Sequence, residues 1–402
     1  MKKIGIITIL CVFLVSPVWA KIKVLPLVDI KLTGGSSSFE SSDASFRGNL
    51  DVSLVPVVKF NQKLSLLPQY QGKYTGSKGA TELEGGGKLH QKEQEHSLSF
   101  KLINKINNGL EIKSKAGYKS LYLRETMDED WGKGIFDYNK AIAALELEKL
   151  FLKKQLQGNL KGCYEYYQIR FPNYESLSSK SVEWKELSAK NPLDYNVHGL
   201  FLSSNIFVTP KTRGGLDYNY IHKEYTDQLV VTKQGNFSSD KRKDDIHEAK
   251  LSLTYILPEK AKTFLKASYG CKINKSTQNN YDSDINRRKS FAPNFYGFTE
   301  HNLSPQITLG LQKNTNLTLS CGYNYKKYTD RDIQDKKGVY QDERLHSKTC
   351  SYGMQLSYPM SKGFSLEIGG NINQTKSNMA YEKFYNYNYN CKSYSVGIGY
   401  QY

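Results

Sequence analysis

Hydrophobic and polar residues alternate one for one over long stretches of this chain. That is the period of a pleated strand, in which successive side chains point to opposite faces. Near the C-terminus Tyr394, Val396, Ile398, Tyr400 and Tyr402 fall on one face and Ser393, Ser395, Gly397, Gly399 and Gln401 on the other. Leu317, Leu319, Cys321, Tyr323 and Tyr325 alternate in the same way with Asn316, Thr318, Ser320, Gly322 and Asn324, as do Ile307, Leu309 and Leu311 with Thr308 and Gly310. Only Gln312 to Asn314 separates the last two runs, which predicts an antiparallel hairpin.

The same pattern marks strands over 23–34, 46–60, 63–76, 96–106, 109–124, 138–151, 153–170 and 194–208. It continues over 212–226, 246–257, 262–275, 295–312, 315–329, 346–358, 363–376 and 388–402. Short links such as Asn61-Gln62, Asn107-Asn108, Thr209 to Lys211, Glu259 to Ala261 and Pro359 to Lys362 alternate with long polar ones. The long ones include Gly79 to Glu95, Asn173 to Leu193, Ser276 to Asn294 and Asp330 to Leu345. Many of these strands exceed the roughly 5–6 residues usual in soluble sheets, and no fixed internal period marks a β-helix. The expectation is an all-β chain forming one antiparallel transmembrane β-barrel of about sixteen strands, with fourteen or twelve as alternatives.

Residues 1–20 stand apart. Lys2 and Lys3 precede an apolar run from Ile4 to Val15, and the segment closes on Pro17-Val18-Trp19-Ala20, the form of a secretory signal peptide. Cys11 sits inside the apolar run, which disfavours lipid anchoring. The barrel is then expected over 21–402, without a linker or a break in composition. No later stretch approaches the roughly eighteen apolar residues of a membrane helix. A hydrophobic content of 39% that includes 30 tyrosines suits a wall whose alternate residues face water. Cys163, Cys271, Cys321, Cys350 and Cys391 are isolated and odd in number, so no disulfide framework is expected. A net charge of +17 spread at strand spacing, in a secreted chain, fits anionic lipopolysaccharide and membrane lipid better than nucleic acid.

The segment Tyr394 to Tyr402 resembles the closing strand of bacterial outer-membrane proteins, which ends in an aromatic residue with apolar residues at alternate positions before it. The resemblance implies an outer-membrane barrel of a Gram-negative bacterium, with Tyr394, Tyr400 and Tyr402 read by the barrel-assembly machinery. An expected sixteen strands resembles the general porins, and this implies a channel for small hydrophilic solutes and a homotrimer as one assembly to expect. In those porins the third external loop folds inward. The corresponding connection here runs from Arg124 to Asp137, so Asp128, Glu129 and Asp130 are the candidate constriction residues facing Lys113, Lys115 and Lys119.

Read by parity, one strand face carries Lys101, Lys113, Lys115, Lys119, Lys161, Lys250, Lys266 and Lys272 with fewer acids, among them Glu111, Glu146, Glu148, Asp217 and Glu367. Lysines around a confined lumen favour anions, so weak anion preference is expected. The seven histidines fall in no catalytic motif, and neither clustered cysteines nor an HxxxH or calcium loop appears. Neither an enzyme nor a cofactor or metal site is expected. The alternative function is a non-conducting surface receptor or adhesin acting through its long outer loops.

Overall fold

The computed structural model describes residues 23–39, 45–82, 88–124, 129–153, 156–174, 191–257, 263–282, 291–382 and 387–402; the signal segment 1–20 lies outside them. Sixteen strands close into one antiparallel barrel. They are β1 Val28–Phe39, β2 Ser45–Leu54, β3 Leu64–Glu82, β4 Lys88–Asn107, β5 Leu110–Arg124, β6 Tyr138–Lys153, β7 Leu156–Arg170 and β8 Tyr195–Thr209. The second half comprises β9 Thr212–Val231, β10 Phe237–Ile256, β11 Phe264–Ser276, β12 Phe298–Gly310, β13 Asn316–Gln334, β14 Tyr340–Pro359, β15 Phe364–Ser377 and β16 Tyr389–Gln401.

Each strand pairs with its sequence neighbour, and the ring closes where Asp29 faces Gln401 and Thr33 faces Gly397. Reciprocal bonds tie Val28 N to Tyr402 O at 3.0 Å and Tyr402 N to Val28 O at 2.9 Å. Closure matters physically, because in hydrocarbon every backbone N–H and C=O needs an internal partner, and a closed ladder leaves no edge. Pro56 has no N–H, and β2 breaks beside it. The chain resumes pairing at Val57–Lys59, which takes both Leu64–Glu82 and the leading segment Lys23–Leu25 as partners. The first described residues, Lys23–Leu25, and the C-terminal Tyr402 lie at the rim of short turns. The long connections occupy the other rim.

Alternation sorts the side chains. Leu98, Phe100, Leu145, Leu147, Leu251, Leu253, Leu303 and Met354 are exposed large apolar residues on the outward face, as a lipid-facing wall requires. Toward the long-loop rim this band ends in a collar of tyrosine and histidine. The hydroxyl of Tyr70 meets His96 Nδ1 at 2.9 Å, Tyr164 meets His198 at 2.7 Å, Tyr218 meets His247 at 2.9 Å and Tyr269 meets His301 at 2.7 Å. Each pair is diagonal across two strands, the tyrosine two residues from the partner opposite the histidine. An amphipathic ring with a polar tip belongs at the hydrocarbon–water boundary, so the collar fixes the height of the barrel in the membrane.

Three hairpins run farther than the alternation predicts: β3–β4, β9–β10 and β13–β14 each continue several residues beyond the collar. There neither face has to meet lipid, so pairing persists without strict apolar alternation, and one side of β9–β10 and β13–β14 is buried at Arg242, Asp244, Ile333 and Leu345. Tight turns with Gly235 at φ 75° and Gly338 at φ 82°, a region open to glycine without strain, end the second and third of these hairpins. The expected disulfide-free cysteines are free thiols; Cys271, Cys321 and Cys350 share the outward face with apolar neighbours.

Candidate functional site

The inward face is divided into regions of distinct chemistry. On β4 to β7 it is a lattice of opposite charges. Lys113 Nζ lies 3.0 Å from Glu146 and 3.5 Å from Glu111 and is also bonded to Glu148. Glu146 further takes Lys161 at 3.1 Å and Lys101 at 3.7 Å, and Asn159 donates to Glu148 at 2.8 Å. One strand turn higher, Lys119 pairs with Glu95 at 2.7 Å and Lys140 with Glu165 at 3.6 Å. Antiparallel register builds this lattice. Lys113 stands directly opposite Glu146, and Lys161 directly opposite Glu148. Opposite charges across a strand pair attract.

From β12 round to β1 the inward wall is mostly neutral: Thr308 and Thr318 share a bond of 3.1 Å and Thr349 and Thr375 one of 2.8 Å. Ser320, Asn371, Ser393 and Ser395 line a lumen-side recess of about 520 Å³ with Lys31, Lys73 and Asp51. Lys31 is held by Glu367 at 2.5 Å. On β10 and β11, Lys250 and Lys266 point inward and are exposed, and among the described residues neither forms an ion pair, although Lys250 stands opposite Asp217. Lys115 and Lys272 likewise lack an ion-pair partner, although Lys272 lies 5.8 Å from the Phe298 ring.

Toward the outer mouth, cations alternate with aromatic faces. Arg242 stacks between Tyr225 at 4.3 Å and Tyr296 at 4.0 Å and is clamped by Asp244 at 2.7 and 3.1 Å. Lys326 lies 4.0 Å from the Phe298 ring, Lys223 4.9 Å from Tyr195, and Arg331 4.4 Å from Phe295. These contacts place Phe295 and Tyr296, in the described part of the connection before β12, against the inner wall. Tyr296 is 5% exposed, and its carbonyl accepts from the inward Asn274 at 2.7 Å. Beside it Tyr328, Ile333, Leu345 and Met379 form a buried cluster under Tyr381 and Tyr387 from the connection 378–388. A niche of about 220 Å³ remains between Lys223, Arg242, Lys272, Tyr296 and Lys326.

The expected lysines, Lys101, Lys113, Lys115, Lys119, Lys161, Lys250, Lys266 and Lys272, all share the inward register. The acids of the third outer connection lie elsewhere. Asp130 is 76% exposed and pairs with Lys133 at 3.4 Å. Trp131 stacks on Arg124 at 5.3 Å and edge-on to Tyr74 at 6.1 Å, both outward residues. Glu129 lies beside Gly134 and Asp137, and Asp128 falls outside the described residues. The carboxylates that meet Lys113 and Lys119 come instead from the barrel wall.

Asp137 anchors this connection. It accepts from Leu123 N at 2.6 Å and Gly134 N at 3.0 Å, and burial pushes its carboxyl above the usual aspartate range. Burial does the same to Asp194, at the end of the next outer connection. In the closing strand Tyr394 is 59% and Tyr402 71% exposed, while Tyr400 packs on Phe364 with ring centres 4.8 Å apart.

Parity counting that found the lysines also reaches Glu95, Glu165, Glu248 and Glu300, which the sequence reading left out of the inward acids. Glu95 shares a face with Lys101, three pairs along the strand, and Glu165 with Lys161. Phe295 and Tyr296 carry no such signal, since a long connection has no period, whereas Tyr195, Tyr225, Phe298 and Tyr328 lie on strands.

A closed antiparallel ring with an apolar exterior and a charged, hydroxylated interior defines a transmembrane β-barrel of the Gram-negative outer membrane. No family model and no curated protein matches the chain. Among solved structures it is similar to OccAB3 of Acinetobacter baumannii, with 8% identity and a TM-score of 0.50 over 94% of this chain and 99% of that one. OccAB4 of the same organism gives 11% identity and a TM-score of 0.46 over 94% and 98%. OmpT of Vibrio cholerae, folded in vitro, gives 9% and 0.44 over 95% and 100%. At such identity the likeness is one of fold.

Proposed function

We propose that the barrel is a passive diffusion channel for small hydrophilic solutes, with a weak preference for anions. The observation that carries this reading is an inward wall on which charged and hydroxylated residues outnumber apolar ones such as Val197, Phe201, Ile221 and Ile246, with Lys250 and Lys266 exposed to the lumen and in no ion pair with a described residue. Barrels of about sixteen strands are wide enough to keep a water-filled channel. In a confined lumen a few uncompensated charges of one sign raise the local concentration of the other. The lattice on β4 to β7 contributes little to selectivity, because its lysines are matched by carboxylates. The preference is therefore assigned first to Lys115 and Lys266, which have no acid directly opposite them, whereas Lys250 faces Asp217 and Lys272 faces Glu248 and Glu300 across the strand pairs.

Replacing Lys250 and Lys266 by glutamate tests this. In a planar bilayer under a salt gradient, the reversal potential should move toward cations, with a several-fold fall in the anion-to-cation permeability ratio. An unchanged reversal potential would remove these lysines from the account. The receptor reading draws on one observation, the packing of the described parts of connections 277–297 and 378–388 over part of the mouth. Persistent absence of conductance would favour it.

A further inference from the structure

The outward face of β14, β15, β16 and β1 has a feature that the channel reading does not use. Gly370 and Gly34 point into lipid without side chains, so the wall recedes there into a groove of about 640 Å³. Its sides are Tyr352, Met354, Tyr394 and Val396, each more than half exposed. The groove is almost wholly apolar. At its outer end three lysines share the outward register. Lys392 lies opposite Ile372 on the groove wall, and farther out Lys348 and Lys376 face each other directly across the strand pair. All three are exposed, and among the described residues none is in an ion pair with a carboxylate. Like charges directly opposite one another repel, so this arrangement gains most from an anion placed between them.

We infer that this face is a seat for a phosphorylated glycolipid of the outer leaflet, its acyl chain in the glycine-floored groove and its phosphates on Lys348, Lys376 and Lys392. Two features select that occupant. The lysines lie only at the long-loop end of the groove, which is the outer-leaflet side. Their spread of four residues along β15 from Ile372 to Lys376, about 13 Å at strand rise, suits a head carrying more than one phosphate. A second copy docked face to face would bring the same three lysines together, whereas the phosphates of a lipid neutralise them.

Delipidated barrel in a neutral detergent, titrated with diphosphoryl lipid A, its dephosphorylated form and phosphatidylethanolamine under native mass spectrometry, tests the assignment. Wild type should take up one diphosphoryl lipid A in preference to both others. The triple variant Lys348→Gln, Lys376→Gln, Lys392→Gln should lose roughly tenfold in its affinity for it. The control Lys241→Gln, Lys243→Gln, Lys275→Gln, on strands without the groove, should stay within about twofold. Gly370→Leu should weaken the phosphorylated and dephosphorylated lipids alike. Equal binding by wild type and the first triple variant, or an equal loss in the control, would overturn the site. A protein dimer that excludes lipid and survives the first triple variant would assign the face to a second copy instead.

Discussion

At the residue scale the inner wall is governed by matching of buried or half-buried charge. Arg242 and Asp244 are both about 3% exposed in their side chains, so either alone would be stranded. Removing one partner of such a pair costs on the order of 3–5 kcal/mol. Arg242→Ala should lower the temperature at which the barrel loses its heat-modifiable gel mobility, and Arg242→Lys should restore little, since an ammonium cannot make the two parallel bonds to Asp244. Lys113 is the hub for Glu111, Glu146 and Glu148. Lys113→Met leaves three carboxylates facing the lumen together, so both stability and anion preference should fall, the second read from the reversal potential. Asp137 gives a pH dependence of known sign. Its carboxyl is raised by burial, so the folded state holds the proton more tightly than the unfolded chain and stability falls as pH rises above the ordinary aspartate range of about 4. Thermal unfolding of wild type should weaken relative to Asp137→Asn across that rise; parallel curves would contradict the assignment.

At the element scale the strands were legible because each must satisfy lipid on one side and water on the other. That demand writes a period of two into the sequence, as in Leu317 to Tyr325, and it fails where the demand ends. Residues 79–82 and 88–95 read as a polar link, yet they are strand, because above the Tyr–His collar pairing needs no apolar face. The same cause hid the outer halves of β9, β10, β13 and β14. Connections carried less information still. The acids of Asp128 to Asp130 suggested an inward loop, whereas Trp131 finds Arg124 and Tyr74 on the outer surface and takes the described part of the chain with it. Phe295 and Tyr296, in a connection without an obvious motif, are the residues that enter the mouth, where inward arginines offer partners to their ring faces. Replacing residues 279–293 by a short glycine turn should therefore raise single-channel conductance, and deleting 126–136 should change it little. The reverse ranking would return the constriction to the third connection.

At the scale of the whole molecule, the barrel presents three surfaces with different requirements: an apolar band with its tyrosine and histidine collar, an outer rim of extended hairpins, and a lumen whose charges are matched on one side and sparse on the other. Residues 1–20 hold Lys2 and Lys3 and no acid, so residues 21–402 carry +15 of the net +17. Carboxylates offset the lysines of the lattice around Lys113, outward lysines such as Lys348 and Lys376 stand at the collar, and Lys115 and Lys266 face the lumen. Only these last bear on permeation, which is why the preference for anions is expected to be weak for so basic a chain. The central claim is that this lumen conducts. The most direct test is single-channel recording of the purified barrel in a planar bilayer with equal salt on both sides. The account predicts stable, discrete conductance steps whose size grows with salt concentration, whereas silence across repeated insertions of correctly folded barrel would contradict it.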